Sequence, residues 1–266
     1  MQRRTFLSGL ALFAALPLAA RAEGNYLTIG IYPGTGKADI PTYDFLDAAR
    51  PFAQALAAQF GREPRLVLFR SIKNTLRSLD KGSLDIYFVP PTVAVSVLDR
   101  NYTPVARARD EATGILIRRK GVEIRTVALT EKESWLDVMA RYTLKRQKSD
   151  AEVFNLKTQE DIALAMERDI AQAGSLRSTL ANKLIAQGKY EVWHPLPNTP
   201  DFTLMASNKL SPADQDKLGA AAASLRPETV QSLQKTIHSK VTGFVVDKQA
   251  DYKIIKQALK EANYLK

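Results

Sequence analysis

Cysteine is absent from all 266 residues. That absence excludes a disulfide framework, a cysteine-ligated zinc or iron–sulfur centre, and thiol catalysis. Histidine is scarce as well: only His194 and His238 occur, too few for a polyhistidine metal site. Neither sits in a catalytic pattern. His194 precedes Pro195 at the end of an expected strand, and His238 lies in the polar stretch 235–240. Gly and Pro stand at 13 each, which excludes collagen-like and low-complexity chains. No HExxH, GxSxG or EF-hand pattern is present. The nearest approach to a nucleotide loop is Gly34-Thr35-Gly36-Lys37-Ala38-Asp39. It fails as GxGxxG because Asp39 occupies the third glycine position. It fails as a phosphate loop because Ile31 stands where the first glycine belongs and Ala38 follows the lysine. No cofactor and no metal are expected.

What is present is ordinary for a globular chain: 45% hydrophobic and 25% charged residues, enough for one large or two medium domains. Residues 1–22 read as an export signal. Arg3 and Arg4 precede an apolar run over residues 6–20, which Pro17 interrupts, and Ala20-Arg21-Ala22 offers small residues for cleavage. Arg3-Arg4-Thr5-Phe6-Leu7 also resembles a twin-arginine signal. No other apolar run approaches membrane-spanning length, so a soluble protein of the bacterial periplasm is expected. The net charge of +10 falls to about +7 once Arg3, Arg4 and Arg21 are removed. The remaining basic residues are spread along the chain. The densest run, Arg141 to Lys148, falls at an expected helix end, where cations complement the helix dipole. A nucleic-acid partner is therefore not expected; a small anionic ligand is.

Residues 26–32 alternate as a strand and run into Pro33-Gly34. Residues 43–60 place Phe45, Ala48, Ala49, Phe52, Leu56 and Phe60 on one helical face. A strand at 65–69, a helix capped by Ser71, a strand at 84–89 and a helix opened by Pro90-Pro91-Thr92 complete a first β-α-β-α-β-α set. A second set begins near Thr113. Strands are expected at 114–117, 124–129, 153–154, 169–171 and 190–194, and helices from Ser134, at 158–167 and at 175–187. A strand at 202–206 and helices at 211–224, 227–237 and 250–262 return to the first set. The division is residues 23–112, 113–200 and 201–266: first lobe, second lobe, and return. Each lobe is a mostly parallel sheet flanked by helices, with a ligand cleft between them. Ligands of such sheets gather beyond the carboxyl ends of the strands, where helix N-termini present unpaired N–H groups to an anion.

Several stretches resemble the periplasmic phosphate, phosphite and phosphonate-binding proteins of ABC importers, which have a type II periplasmic-binding-protein fold. They are residues 26–33 (YLTIGIYP), 79–86 (LDKGSLDI) with Pro90-Pro91, 102–107 (YTPVAR), and Thr242-Gly243-Phe244 with Asp251-Tyr252. The resemblance covers nearly all of the chain after the leader. It implies a monomeric, non-enzymatic protein that captures a small oxyanion and delivers it to an ABC permease. A sensor kinase's periplasmic domain is an alternative partner, and an enzyme on the same scaffold an alternative function. The family's Ser-Thr-Ser-Gly-like turn is replaced here by Thr130-Glu131-Lys132-Glu133-Ser134-Trp135, and the family's aromatic before the third strand's exit by Val89.

The candidate ligand residues lie at strand exits and helix starts. Tyr32 covers the ligand from the first strand's end. Ser71 and Thr92 donate hydroxyls from the first lobe, and Thr113 lies near the crossover. Ser134, Ser175 and Arg177 close from the second lobe, Arg177 as a bidentate anion clamp. Trp135 reads as core rather than as a ligand stack. The crossovers near 110–114 and 198–203 are the expected hinge.

Overall fold

Ile86, Tyr87, Phe88 and Val89 are all buried, as a strand covered on both faces requires. They form one strand of a computed structural model that describes residues 25–34, 39–237 and 239–265. The expected leader, residues 35–38 and His238 lie outside those described. The first part of the chain runs β1 (Tyr26–Ile31), α1 (Thr42–Ala57), β2 (Glu63–Leu68), α2 (Ile72–Lys81), β3 (Ile86–Val89), α3 (Pro91–Leu98) and β4 (Tyr102–Ala108). It crosses on β5 (Glu111–Ala112) into β6 (Gly114–Arg119), β7 (Thr126–Leu129), α4 (Trp135–Arg146), β8 (Glu152–Asn155), α5 (Gln159–Glu167), β9 (Ala173–Arg177), α6 (Ser178–Ala186) and β10 (Tyr190–Pro195). It returns on β11 (Thr199–Pro200) to β12 (Thr203–Ser207), α7 (Pro212–Ala223), α8 (Pro227–Gln234), β13 (Phe244–Val246) and α9 (Lys253–Glu261).

Among the described residues, one sheet has the order β13-β4-β12-β3-β1-β2 and the other β10-β6-β9-β7-β8. The two-lobed α/β architecture is the expected one, and the pairing is more mixed than expected. In the first sheet β2, β1 and β3 are parallel, while β12 runs antiparallel to β3 and β4. In the second, β8, β7 and β9 are parallel, and β6 runs antiparallel to β9 and β10. The reason is the route of the chain. It leaves each lobe on a strand running towards the crossover, so the strand that enters the other lobe, β6 or β12, must run away from it. The crossovers pair with each other as a short antiparallel ribbon, Thr199 opposite Ala112 and Pro200 opposite Glu111.

Alternation along the strands separates the core layers. Val127 and Leu129 join one apolar cluster, and Ala128 between them joins another beneath α5 and α6. The Val127 cluster continues into the first lobe through Val93, Val97, Ile255 and Leu259, because α9 packs against both α3 and α4. A third cluster holds the other face of the first sheet against α1, α7 and α8.

One stretch departs from expectation. Residues 169–171, read as a strand, form a turn in which Asp169 has φ 58°, and the strand is Ala173–Arg177. The helix expected from Ser175 starts at Ser178. Ala173-Gly174-Ser175 is too poor in β-branched residues to read as a strand. Tertiary packing explains it: a Cβ at Gly174 would lie 2.5 Å from Ile162 Cγ2 of α5, so close helix–sheet approach demands glycine there. Strands β4 and β13, unread in the sequence, complete the first sheet. Among the described residues no helix is long and apolar enough to cross a membrane.

Candidate functional site

The carboxyl ends of the parallel strands point into the space between the lobes, and the helices that follow them begin there. A cavity of about 40 Å³ occupies this space. From the first lobe, Tyr32 and Gly34 beyond β1, Ile72 at the start of α2, Pro90 and Thr92 at α3, and Phe202 line it. From the second, Ser134, Trp135 and Leu136 at the start of α4, Gln159 at α5 and Arg177 before α6 face them. Five helices thus contribute first-turn or capping residues to one small volume. A water needs about 10–15 Å³ measured this way, so the cavity suits a compact group of a few heavy atoms rather than a nucleotide.

Helix α3 leaves hydrogen-bonding capacity unspent at its start. Its N-cap is Pro90, which offers no side-chain cap, and Pro91 has no N–H. The N–H of Ala94 donates to the Pro90 carbonyl at 3.0 Å, so the N–H groups of Thr92 and Val93 have no intrahelical acceptor. The Thr92 hydroxyl is buried and, among the described residues, has no hydrogen-bond partner. The same holds for the Tyr32 hydroxyl, on a side chain 1% exposed. Tyr32 is held by its own N–H, which donates to the Phe88 carbonyl at 3.2 Å. Burial raises its pKa well above the ordinary tyrosine value, and the carboxylates of Glu131 and Glu133 raise it further. The hydroxyl keeps its proton and stays a donor.

The opposing turn is locked from below. Asp137, fully buried, accepts from the Glu133 N–H at 3.1 Å, from Arg141 Nε at 2.8 Å and from Asn155 Nδ2 at 2.7 Å. This holds Glu133 at φ 67°, a left-handed conformation unusual for a side-chain-bearing residue. Ser134 caps α4 by accepting from the Asp137 N–H at 3.3 Å and shares a hydrogen bond of 2.7 Å with Thr130 Oγ1. The Glu131 and Glu133 carboxyls are raised above their usual range, chiefly by burial.

Arg177 occupies the boundary between lobes. Its guanidinium lies 4.5 Å from the centre of the Trp135 ring, and Nη1 donates to Asp201 Oδ2 at 3.3 Å. Asp201 is 1% exposed and also accepts from Ser239 Oγ at 3.2 Å. Trp135 Nε1 donates to Thr199 Oγ1 of the crossover ribbon at 2.8 Å, tying the start of α4 to that ribbon.

The structure brings Tyr32, Thr92, Ser134 and Arg177 together and leaves the other candidates outside the cavity. Ser71 caps α2, accepting from the Asn74 N–H at 3.2 Å, and lies on a separate groove beside Glu131 and Glu133. Ser175 lies within β9, not at a helix start, and its hydroxyl donates to the Leu136 carbonyl at 3.1 Å. Thr113 lines a broader groove next to the cavity. The fork of Arg177 is not wholly free for a bidentate clamp, because one arm is committed to Asp201. Sequence reasoning missed Gln159, Phe202 and Ser239. Gln159 follows Thr158, the more obvious donor, which is spent in a capping box with Asp161. Ser239 lies in a loop with no periodic signal. Trp135 is both core and cavity wall.

Two lobes, a crossover ribbon and a cavity walled by helix N-termini define a periplasmic binding protein of type II. The family model for the periplasmic phosphonate substrate-binding protein of ABC transporters matches residues 42–252, and the chain belongs to that family. Its fold is similar to that of PhnD1 from Prochlorococcus marinus in complex with methylphosphonate, at 14% identity and TM-score 0.68, over 91% of this chain and 100% of that one. It is also similar to XAC2383 from Xanthomonas citri bound to ATP, at 13% identity and TM-score 0.72, over 90% and 98% of the two chains. The periplasmic aliphatic sulphonate binding protein SsuA from Escherichia coli is similar at 14% identity and TM-score 0.58, over 90% and 86%. No curated protein matches the sequence. A solute-binding role follows from the family.

Proposed function

We propose that the protein captures a small phosphorus- or sulfur-centred oxyanion between its lobes and delivers it to an ABC permease in the membrane. The observation that carries this reading is the pair of buried, unpartnered hydroxyls, Tyr32 Oη and Thr92 Oγ1, on the wall of the interlobe cavity. A buried hydrogen-bonding group left unsatisfied costs about 1–3 kcal/mol, a cost a ligand removes. The Thr92 and Val93 N–H groups and the positive ends of the surrounding helices favour a negative charge at the same place. Ser134 and Arg177 meet the anion from the second lobe. The ligands named for the similar proteins, methylphosphonate with PhnD1, ATP with XAC2383 and aliphatic sulphonates for SsuA, share an oxyanion. Of these, the cavity's 40 Å³ fits a phosphonate or sulfonate head. The lobes close on the ligand by bending at the β5–β11 ribbon. The N-terminal leader carries the chain to the periplasm, where it works as a monomer and changes no bond in its cargo.

Calorimetry with phosphate, phosphite, methylphosphonate, sulfate and methanesulfonate tests this. At least one binds, and Tyr32→Phe and Thr92→Val each weaken it about tenfold or more, equivalent to about 1.4 kcal/mol. Both variants keep or raise the melting temperature of the ligand-free protein, because the lost hydroxyls have no protein partner. Silence across the panel, or variants that bind as tightly as the parent, refutes the reading.

A further inference from the structure

We infer that Arg177 makes this a receptor for two-ended anions, in which a compact oxyanion head carries a second hydrogen-bond acceptor such as a carboxylate a few bonds away. The inference rests on the oxyanion reading above and names the ligand class of that site. The cavity does not stand alone. A groove of about 580 Å³ adjoins it, and the two share Gln159, Arg177 and Ser239 as lining residues. A head held at Tyr32 and Thr92 therefore directs its substituent past Arg177 into the groove. At that threshold the guanidinium is fixed by its stack on Trp135 and by one Nη1 contact to Asp201. Among the described residues that contact is its only side-chain hydrogen bond. A guanidinium carries five N–H donors, so the fork retains donors for an incoming acceptor.

The acid at the threshold is not available to a cation. Asp201 is buried, and its two oxygens are taken by Arg177 and Ser239. Drawing Arg177 away would strand a buried carboxylate, which favours keeping the pair intact and using the free edge of the fork. An ammonium substituent meets a like charge at Arg177; a carboxylate meets an opposite one. Further along the groove the exposed Lys183 and Lys240 are balanced in charge by the exposed Glu111 and Glu160, so the discrimination rests on Arg177 at the threshold.

Titration calorimetry at fixed ionic strength with methylphosphonate, phosphonoacetate and 2-aminoethylphosphonate tests the inference. Phosphonoacetate binds at least tenfold more tightly than 2-aminoethylphosphonate. Because Arg177→Gln alone strands Asp201, the decisive variant is Arg177→Gln with Asp201→Asn, which removes both charges at near-constant shape. In that double variant the preference of phosphonoacetate over 2-aminoethylphosphonate falls to within about threefold, while methylphosphonate, which also meets Arg177, binds more weakly than to the parent. Equal or tighter binding of 2-aminoethylphosphonate by the parent overturns the inference, and so does a preference that survives in the double variant. Methylphosphonate separates the two levels: if it binds without discrimination among substituents, only the present inference falls. If no oxyanion binds, the capture reading falls first.

Discussion

Asp201 belongs to neither sheet, yet it joins them. Its carboxylate takes Arg177 from the second lobe and Ser239 from the returning chain. Breaking a buried pair from one side costs about 3–5 kcal/mol, and because Arg177 is 17% exposed the loss for Asp201→Asn is expected at about 2–3 kcal/mol. Urea denaturation reads it; a midpoint equal to the parent's would mean that the pair contributes nothing to folding. Glu133 is a residue whose ionisation couples to stability. Burial first, then the Asp137 carboxylate, raises its pKa. The native state therefore holds this proton more firmly than the unfolded chain does. Stability rises as pH falls through the window from the raised value down to the ordinary glutamate value, and that gain is absent above the window. Glu133→Gln is expected to flatten the pH dependence of the melting temperature above the ordinary glutamate value, and to tighten anion binding wherever Glu133 is ionised by removing a like charge near Tyr32. Superimposable pH profiles for the two proteins would refute the assignment.

At the scale of elements, the start of α4 depends on a glycine in the neighbouring sheet. A Cβ at Gly114 would lie 2.9 Å from Trp135 Cζ3 and 3.0 Å from Leu136 Cδ2, both cavity-lining residues. Gly114→Ala pushes the first turn of α4 outward. We expect a stability loss of about 1–3 kcal/mol from overpacking, with anion affinity down about tenfold. Gly174→Ala is the control. Its Cβ meets Ile162 and Met166 on the opposite face of the second sheet, so it costs stability with a smaller loss of affinity. Equal affinity losses in both variants would disprove the positional argument. The elements themselves were largely legible, because periods of 2 and 3.6 are local properties of the chain. The caps at Ser71 and Ser134 were legible for the same reason, but capping is what spends Ser71. Ser175 was misplaced because the small residues of β9 hide a strand whose sequence answers to α5 above it.

At the scale of the whole molecule, the two strands of the β5–β11 ribbon, and α9 with its contacts to α3 and α4, cross between the lobes among the described residues. Lys157 and Asp39 form an exposed ion pair of 2.5 Å between the lobes. Exposed pairs contribute little to stability, so they are safe positions for probes. The chain has no cysteine of its own, which lets Asp39→Cys and Lys157→Cys carry two spin labels at defined sites. Pulsed dipolar spectroscopy is expected to show a broad distance distribution that narrows and shortens when a saturating oxyanion is added. An unchanged distribution at saturation would rule out hinge closure.

The sequence alone determined the alternation of strands and helices and the two-lobed α/β class, since each rests on neighbours within a few residues. It also placed Tyr32 and Thr92, because a strand exit and a helix start are local features. Only the tertiary structure decided which donors remain unspent and which are consumed. It paired Arg177 with Asp201, turned Ser175 towards the Leu136 carbonyl, and set Gln159 and Ser239 on the same wall. The physical reason is that a cavity between lobes is built from side chains distant in sequence, whose hydrogen bonds are assigned only when the chain has closed upon itself.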